Sequence, residues 1–262
     1  MKKLLLILFI LLFIVSCNSK KEEVVKVGYI GELDLSIWEY VSNEMKSKNI
    51  TLELIQFSDY SVINKALNSG HIDLNHFQNY AYFVNATNKN DYYLSVIDKT
   101  FIASMNIYSK KLTNLSELKI NSKIAIPKDS VNLSRSLKIL ESIGLLKLNK
   151  QNNINYNFTT NDIKENYLKL DFVAVEADDV YSVISLVDAA FVNLNLNFDF
   201  KDENIIYHDD PSKYDSDMYI NLIAARLEDE DNTLYKNIAA SYKNRIKEVV
   251  ESGKLNGIII NY

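Results

Sequence analysis

The sequence predicts an α/β protein built from two small lobes. Short apolar strands alternate with amphipathic helices in two stretches of the chain, and the 262 residues, 47% of them hydrophobic, are enough to give each lobe a core. A single barrel of eight βα units would need a more regular succession than this. The apolar content argues against a disordered chain, and the formal net charge of −5 argues against nucleic-acid binding.

The first stretch predicts the succession β-α-β-α-β, which is typical of a mostly parallel sheet with helices on its faces. Asp34 is a candidate N-cap for the first helix, and Ser58-Asp59 is predicted to cap the second. The predicted strands cover residues 26–30, 50–57 and 71–77, and the predicted helices cover 34–48 and the segment from Asp59 to a stop at Gly70.

The second stretch resumes this pattern with further strands. A helix over 132–143 follows a strand that Pro127 ends, and a final helix over 232–252 has a clear apolar face. The predicted strands cover residues 101–109, 123–126, 170–175, 188–192 and 218–227. From these elements we place the first lobe at 26–109 plus 194–262 and the second lobe at 110–193.

The N-terminus has the features of a bacterial export signal. Two lysines precede an uncharged apolar run over residues 4–15, which is too short for a bilayer span of about 20 residues. The chain's single cysteine, Cys17, follows this run, and Ile14-Val15-Ser16-Cys17 resembles a lipobox. We expect cleavage of the signal 1–16, lipidation of Cys17, a tether over 17–25 and a body anchored at the extracytoplasmic face of the cell membrane. The alternative is an ordinary secretory signal with an incidental cysteine.

Polar and aromatic side chains follow several predicted strands, at the edge where open α/β sheets bind ligands. They comprise aromatic rings, amides and one guanidinium, without an obvious nucleophile or base. The candidate ligand-binding residues at these positions are Tyr60, Phe77, Asn79, Tyr82, Asn132, Arg135 and Asn193.

Arg135 is the most informative of these candidates. We expect it in the first turn of its helix, where a cation opposes the helix dipole; this placement favours a ligand carboxylate bound by the helix N-terminus and the guanidinium together. A solvated surface arginine is the alternative. The aromatic candidates, together with Tyr80, are predicted to wall an apolar slot, although in a chain with 17 tyrosines they can equally pack a core.

Enzyme signatures are missing from the sequence. It has no Gly-x-Ser-x-Gly elbow, Walker loop or dinucleotide fingerprint, so we expect neither enzyme activity nor a cofactor. His71 and His76 are predicted to face opposite sides of one strand, which argues against a metal pair. The acidic segments 208–210 and 228–231 lack the ligand spacing of a calcium loop and are interpreted as solvated turns.

Several blocks of the chain carry a family resemblance. They are Lys26–Gly28, Phe57–Tyr60, Phe77-Gln78, Ile107–Lys111, Ile124–Pro127, Val187–Ala190 and Ala224–Arg226. With the lipobox, these blocks resemble the NlpA/MetQ family of methionine-binding lipoproteins from about Lys26 to the C-terminus. The most specific feature is Phe-Ser-Asp-Tyr followed by a Gly-x-Ile-Asp-x-Asn-x-Phe-Gln block.

This resemblance implies a two-lobed periplasmic-binding-protein-like fold of type II, with a ligand cleft between the lobes that closes by hinge motion. It implies an amino acid, methionine or a close relative, as ligand, and the permease and ATPase of an ABC importer as partners. A monomer is expected. By position, Tyr60, Phe77 and Tyr82 would hold the ligand side chain, Asn132 and Arg135 its carboxylate, and Asn193 its backbone.

Departures from the family pattern leave the exact ligand open. His76 stands where the family has an aromatic residue, Asn79 stands where it has histidine, and the loop 30–34 carries Glu32 and Asp34. These residues favour an alternative hypothesis, in which a protein of the same fold binds another amino acid or a short peptide. A surface lipoprotein that acts as an adhesin without a transport role is the third hypothesis.

Overall fold

The computed structural model describes residues 22–149, 157–176, 179–193, 204–210, 216–253, 255 and 257–260. The predicted signal, Cys17 and most of the predicted tether lie outside these residues. In the described part of the chain, no helix combines the length and the apolar character needed to cross a bilayer.

The first of two main sheets is mixed, with helices packed against it. Its described strands are β1 (Glu23–Tyr29), β2 (Ile50–Gln56), β3 (Leu74–Asn79), β4 (Leu94–Ala103), β12 (Ile220–Arg226) and β13 (Ile258–Ile259). Their order is β13-β4-β12-β3-β1-β2, with β1 parallel to β2 and β3, and β12 antiparallel to β3 and β4. The helices on this sheet are α1 (Glu32–Lys46), α2 (Tyr60–Asn68), α3 (Tyr80–Asn90) and α6 (Thr233–Glu251).

The second sheet is built from the middle of the chain. Its described strands are β5 (Met105–Tyr108), β6 (Lys123–Pro127), β9 (Asp171–Val175), β10 (Ala189–Asn193) and β11 (Ile205–Tyr207), in the order β11-β5-β10-β6-β9. Helices α4 (Ser130–Ser142) and α5 (Val180–Val183) pack against it, and β7 (Leu146–Leu148) pairs with β8 (Ile163–Asn166) in a separate two-stranded sheet. Each main sheet has its own buried core, which confirms the two-lobed α/β fold.

The chain passes from the first sheet to the second at Ser104 and returns between Tyr207 and Ile220. The predicted strand 101–109 is therefore wrong as one element: it is the end of β4 followed by β5. The mostly apolar run gave no sign of the break, although Phe101 and Ala103 before Ser104 pack in one core and Met105 and Ile107 after it pack in the other.

This crossing point bears on the predicted lobe boundaries. The predicted first lobe, 26–109 plus 194–262, includes β5 and β11, whereas both strands pair within the second sheet. The division of the chain into lobes stays a prediction, and the strand pairing favours boundaries at Ser104 and after Tyr207.

Two predicted element starts in the first lobe are wrong, and one is confirmed. Helix α1 begins at Glu32 after Gly31, whose φ of 88° suits a residue without a side chain, so Asp34 is not its N-cap but lies fully buried inside the helix. Strand β3 begins at Leu74, which leaves His71 outside it. Asp59 caps α2 as predicted, with its carboxylate accepting from the Ser61 amide at 2.7 Å.

Helix α3 was not predicted from the sequence. Its residues mix aromatic rings and amides, and only Ala81 and Phe83 among them are buried, so no helical apolar period is visible. The short strands β7, β8, β11 and β13 also escaped prediction, because two to four residues are too few to show a period of two.

Candidate ligand-binding site

A narrow cavity lies where strands and helices of both lobes meet. About 300 Å³ of space lies between and around its lining atoms, part of it open solvent, and most of that space is too narrow to admit even a water molecule. The described residues that line it are Tyr60, Phe77, Gln78, Asn79, Tyr82, Ala103, Asn132, Arg135, Asn193, Tyr219 and Asn221. The structure thus brings together every ligand-binding candidate of the sequence analysis, while their role in binding stays a prediction.

Three aromatic rings of the first lobe form one side of the cavity. Tyr60 opens α2, Phe77 lies near the end of β3, and Tyr82 lies in the first turn of α3. Their ring centroids are 5.3 to 5.8 Å apart, and every pair meets edge to face, an arrangement that aromatic rings prefer. Burial raises the pKa of the Tyr82 hydroxyl, which keeps this group neutral over the physiological range. The cluster offers a rigid, largely apolar wall.

Asn79 lines the cavity and also stabilises the start of a helix. It is the N-cap of α3, and its side-chain oxygen accepts from the Tyr82 amide at 2.9 Å. The cap therefore fixes the turn that carries Tyr82 into the cavity. An asparagine at this position holds the helix start without bringing a charge.

Amide groups of the second lobe form the opposite side. Asn132 lies in the first turn of α4, where its amide nitrogen and its side-chain Nδ2 both donate to the capping residue Asp129. Asn193 ends β10, and its Nδ2 lies 3.4 Å from the Asn132 Oδ1. Burial raises the pKa of the Asp129 carboxyl even though these hydrogen bonds act against the shift.

Arg135 lies in the second turn of α4, not in the first, because the helix begins at Ser130. It is 2% exposed, so the alternative of a solvated surface arginine is wrong. Its Nη2 donates to the Ala103 carbonyl at 2.8 Å and to the Asp209 Oδ2 at 3.1 Å, and the guanidinium carbon lies 4.9 Å from the Tyr219 ring centroid. A buried ion pair with Asp209 thus holds the cation in place, although the helix dipole disfavours a positive charge near the N-terminus.

The carboxylate of Asp209 corrects a second expectation. The segment 208–210 was interpreted as a solvated turn, yet the Asp209 side chain is 4% exposed and paired with Arg135. Two neighbouring aspartates look like a surface turn in sequence, and nothing in the spacing shows which of them is buried. The sequence offers only an indirect indication that one of these acids is buried: if Arg135 is buried, it generally needs a carboxylate partner somewhere in the chain.

Four lining residues were not among the sequence candidates: Gln78, Ala103, Tyr219 and Asn221. Gln78 belongs to a buried amide network, in which its Oε1 accepts from Asn64 Nδ2 at 2.8 Å and its Nε2 donates to Asn64 Oδ1 at 2.9 Å. Tyr219 and Asn221 reach the cavity only because the chain returns to the first lobe beside it, and no local pattern could show that.

His76 and Asp34 do not line the cavity. They are fully buried on the other face of the first sheet, where His76 packs against Phe101 and Tyr242. Successive residues of a strand point to opposite faces, so Phe77 reaches the cavity and its neighbour His76 cannot. These two departures from the family pattern therefore compensate each other in the core and give no reason to expect a different ligand.

A wider, open cavity adjoins the narrow one and shares Tyr60 and Tyr82 with it. Its rim carries acidic side chains from both lobes, including Asp59 and Glu176, and the Glu176 carboxylate pairs with Lys128 at 2.7 Å. Among the described residues, no group of three or more histidine, cysteine or acidic side chains is arranged to hold a metal ion.

The fold and the cavity define a two-lobed α/β binding protein with a narrow, closed candidate site between its lobes. The family model described as NlpA lipoprotein matches residues 25–261, and the chain belongs to this family.

Named relatives and solved structures agree with the family. Outer membrane lipoprotein 3 of Mannheimia haemolytica is 34% identical over 240 residues, covering 88% of this chain and 87% of that protein. The D-methionine-binding lipoprotein MetQ of Salmonella typhi is 31% identical over 234 residues, covering 86% of this chain and 83% of that protein. A solved nutrient binding protein from Burkholderia cenocepacia, bound to methionine, has a TM-score of 0.82 and 29% identity, covering 91% of this chain and 100% of that chain.

Proposed function

We propose that this protein is the extracytoplasmic substrate-binding lipoprotein of an ABC importer and that it binds methionine, as the D- or L-form, or a close relative. The observation that carries the proposal is one cavity in which a buried guanidinium, Arg135, faces a cluster of three aromatic rings. These are the two chemistries that an apolar α-amino acid needs. The names of the relatives from Salmonella typhi and Burkholderia cenocepacia point to the same ligand class.

The proposed binding mode assigns each end of the amino acid to one lobe. The ligand carboxylate binds the guanidinium of Arg135 with help from Asn132, because a charge-assisted pair is stronger than a neutral hydrogen bond. The ligand side chain packs among Tyr60, Phe77 and Tyr82, and Asn193 binds the ligand backbone. A polarizable thioether suits such a ring cluster.

Ligand entry requires the lobes to separate. The narrow cavity is closed on the side where α3 meets α4, and Asn85 Nδ2 of α3 lies 3.2 Å from Ser130 Oγ of α4. The lobes are joined by the crossing segments at Ser104 and between Tyr207 and Ile220. A rotation about these segments opens the site, and ligand contacts to both lobes favour the closed form.

The proposal includes the membrane anchor of the protein and its partner. Lipidation of Cys17 ties the body to the outer face of the cell membrane, and the chain acts as a monomer that delivers its ligand to the permease of the importer. The ligand leaves chemically unchanged, as expected of a binding protein whose cavity is lined by amides, aromatic rings and one guanidinium.

Native mass spectrometry of the purified protein tests the proposal. A receptor with a closed site retains ligand, so we expect a bound mass equal to methionine, or uptake of added methionine after the retained ligand is removed by unfolding and refolding. A bound mass that differs from that of methionine would show that the protein binds another ligand, and would help to identify it. If the protein takes up neither methionine nor any of the common amino acids and dipeptides, the result would contradict a receptor function and would favour the adhesin hypothesis.

A further inference from the structure

We propose that Asp209 sets the charge selectivity of the site: by neutralising Arg135, it makes the site favour a zwitterion over an anion of the same shape. The inference rests on the proposed function, because it takes the ligand carboxylate to bind at Arg135. Asp209 itself is not among the residues that line the cavity and so acts through Arg135.

The Asp209–Arg135 pair is isolated from solvent. The two side chains are 4% and 2% exposed, and the Oδ2 of Asp209 lies 3.1 Å from the Nη2 of Arg135. At such burial the attraction is only weakly screened by water or salt. The carboxylate therefore offsets the charge of the guanidinium that faces the ligand.

The backbone of β5 holds Asp209 in place. Its Oδ2 also accepts from the Met105 amide at 3.0 Å, and its own amide donates to the Asn106 Oδ1 at 2.9 Å. Asp209 is thus bound to the segment that follows the crossing at Ser104, on the second-lobe side with Arg135. Because these contacts hold Asp209 to the lobe that also carries Arg135, we expect the ion pair to persist when the lobes open and the site to present the same charge before and after closure.

The charge inventory of the site is short. Arg135 is the one described lining residue with a full charge at neutral pH, and the pair with Asp209 brings the local sum to zero. A zwitterionic amino acid leaves that sum unchanged, whereas a carboxylate ligand without an ammonium group adds an uncompensated buried charge, which is unfavourable.

A neutral acceptor alone would have been enough to orient the guanidinium. The Ala103 carbonyl already accepts from the same Nη2 at 2.8 Å, and the Tyr219 ring lies against the guanidinium. What Asp209 adds to these contacts is a negative charge. Its effect should therefore appear in selectivity between ligands of different net charge.

The test compares methionine with 4-(methylthio)butanoate, which has the same chain and carboxylate but lacks the amino group. Dissociation constants of both are measured by calorimetry for the full-length protein, for Asp209→Asn and for Glu165→Gln. Glu165 is the matched control, since it is a partly exposed acid on β8 that pairs with Lys147, away from the cavity. Asparagine keeps the size of Asp209 and an oxygen that can accept from Met105.

We expect Asp209→Asn to reduce the preference for methionine over 4-(methylthio)butanoate by about 10-fold. A change of this size corresponds to the loss of one buried charge interaction at reduced dielectric. Glu165→Gln should leave the preference unchanged. If Asp209→Asn weakens both ligands by the same factor, Asp209 is only structural and the inference is overturned. If the wild-type protein binds no methionine, the proposed function fails and the inference fails with it.

Asp209→Glu covers the case in which the asparagine variant does not fold, which circular dichroism would show. It keeps the charge and moves the carboxylate by one methylene. We expect the preference for methionine to stay within about 3-fold of wild type even where both ligands bind less tightly. A loss of the preference in this variant would show that the charge of Asp209 does not set the selectivity.

Discussion

His76 and Asp34 meet in the core of the first lobe although they are 42 residues apart in the chain. The His76 Nδ1 lies 2.9 Å from the Asp34 Oδ1, and both side chains are completely buried. The Tyr242 hydroxyl donates to the same carboxylate at 2.6 Å, and the His76 Nε2 lies 2.8 Å from the Thr100 hydroxyl. Residues from α1, β3, β4 and α6 are thereby joined through one polar cluster.

Because each member of this cluster is buried, changing one of them leaves another without its partner. We expect Asp34→Ala to lower the free energy of unfolding by about 3–5 kcal/mol. His76→Phe alone should also destabilise the protein, since it leaves the Asp34 carboxylate short of a hydrogen bond.

A double-mutant cycle checks this relationship. Urea unfolding of the two single variants and of the double variant should give a coupling energy of about 1–3 kcal/mol. Additive effects would contradict a direct interaction. Methionine affinity should be unchanged in any variant that still folds, because neither residue lines the cavity.

Arg135→Gln tests the carboxylate end of the binding mode. Loss of a charge-assisted hydrogen bond should weaken methionine binding by roughly 10- to 150-fold, which corresponds to about 1.5–3 kcal/mol. Lys138→Gln, on the same helix but outside the cavity lining, is the control and should bind normally. Equal affinities of the two variants in calorimetry would contradict the assignment.

Tyr60→Ala tests the aromatic wall. The variant loses its edge-to-face contacts with Phe77 and Tyr82, each contributing about 0.5–1.5 kcal/mol beyond its buried area. We expect methionine affinity to fall about 10-fold, with a smaller loss for alanine as ligand, which does not reach the rings. Tyr60→Phe keeps the ring and should bind methionine as the wild type does; a matching loss there would assign the effect to the hydroxyl.

Asp129 gives a pH dependence whose sign is fixed by its environment. Burial raises its folded-state pKa above the ordinary value of 3.8, so the native state favours the protonated acid. The protonation of Asp129 therefore contributes to the free energy of unfolding. This contribution is complete at pH values below the unfolded-state pKa and is lost as the pH rises through the folded-state pKa. Asp129→Asn, an equally good N-cap that does not titrate, should therefore gain stability relative to wild type as the pH rises.

Urea unfolding of both proteins between about pH 3.5 and 7 measures this difference. Asp171→Asn, an exposed change on β9, is the control and should follow the wild-type profile. A wild-type protein that gains stability over Asp129→Asn with rising pH would contradict the assignment.

Cys17→Ala tests the anchor. Without the thiol no lipid can be attached, so we expect the variant to be absent from the membrane fraction and to incorporate no labelled palmitate, while Ser19→Ala behaves as wild type. Membrane retention of Cys17→Ala at the wild-type level would contradict an anchor at Cys17, and release of both proteins into the soluble fraction would favour the ordinary secretory signal.

The sequence predicted the site better than it predicted the lobe connections. Residues such as Tyr60 and Asn193 stand at the carboxyl ends of strands, where the topology of an α/β sheet itself collects ligand contacts. Tyr219, which lines the cavity, and Asp209, which pairs with Arg135 behind it, could not be found in this way, because only the return of the chain between the lobes places them there. That return depends on long-range pairing that no local pattern encodes.

His76 shows a second limit. As a departure from the family pattern His76 favours a different ligand, yet it packs against Phe101 and Tyr242, on the face of β3 opposite to Phe77. Its partner Asp34 was interpreted as a helix cap because acids are common at that position, and only the buried histidine on a distant strand explains it.

A crystal structure of the protein with bound methionine tests the central claim most directly. We expect methionine in the narrow cavity, with its carboxylate within hydrogen-bond distance of the Arg135 guanidinium and its thioether among the rings of Tyr60, Phe77 and Tyr82. Methionine bound elsewhere, or bound in this cavity with its carboxylate directed away from Arg135, would contradict the account.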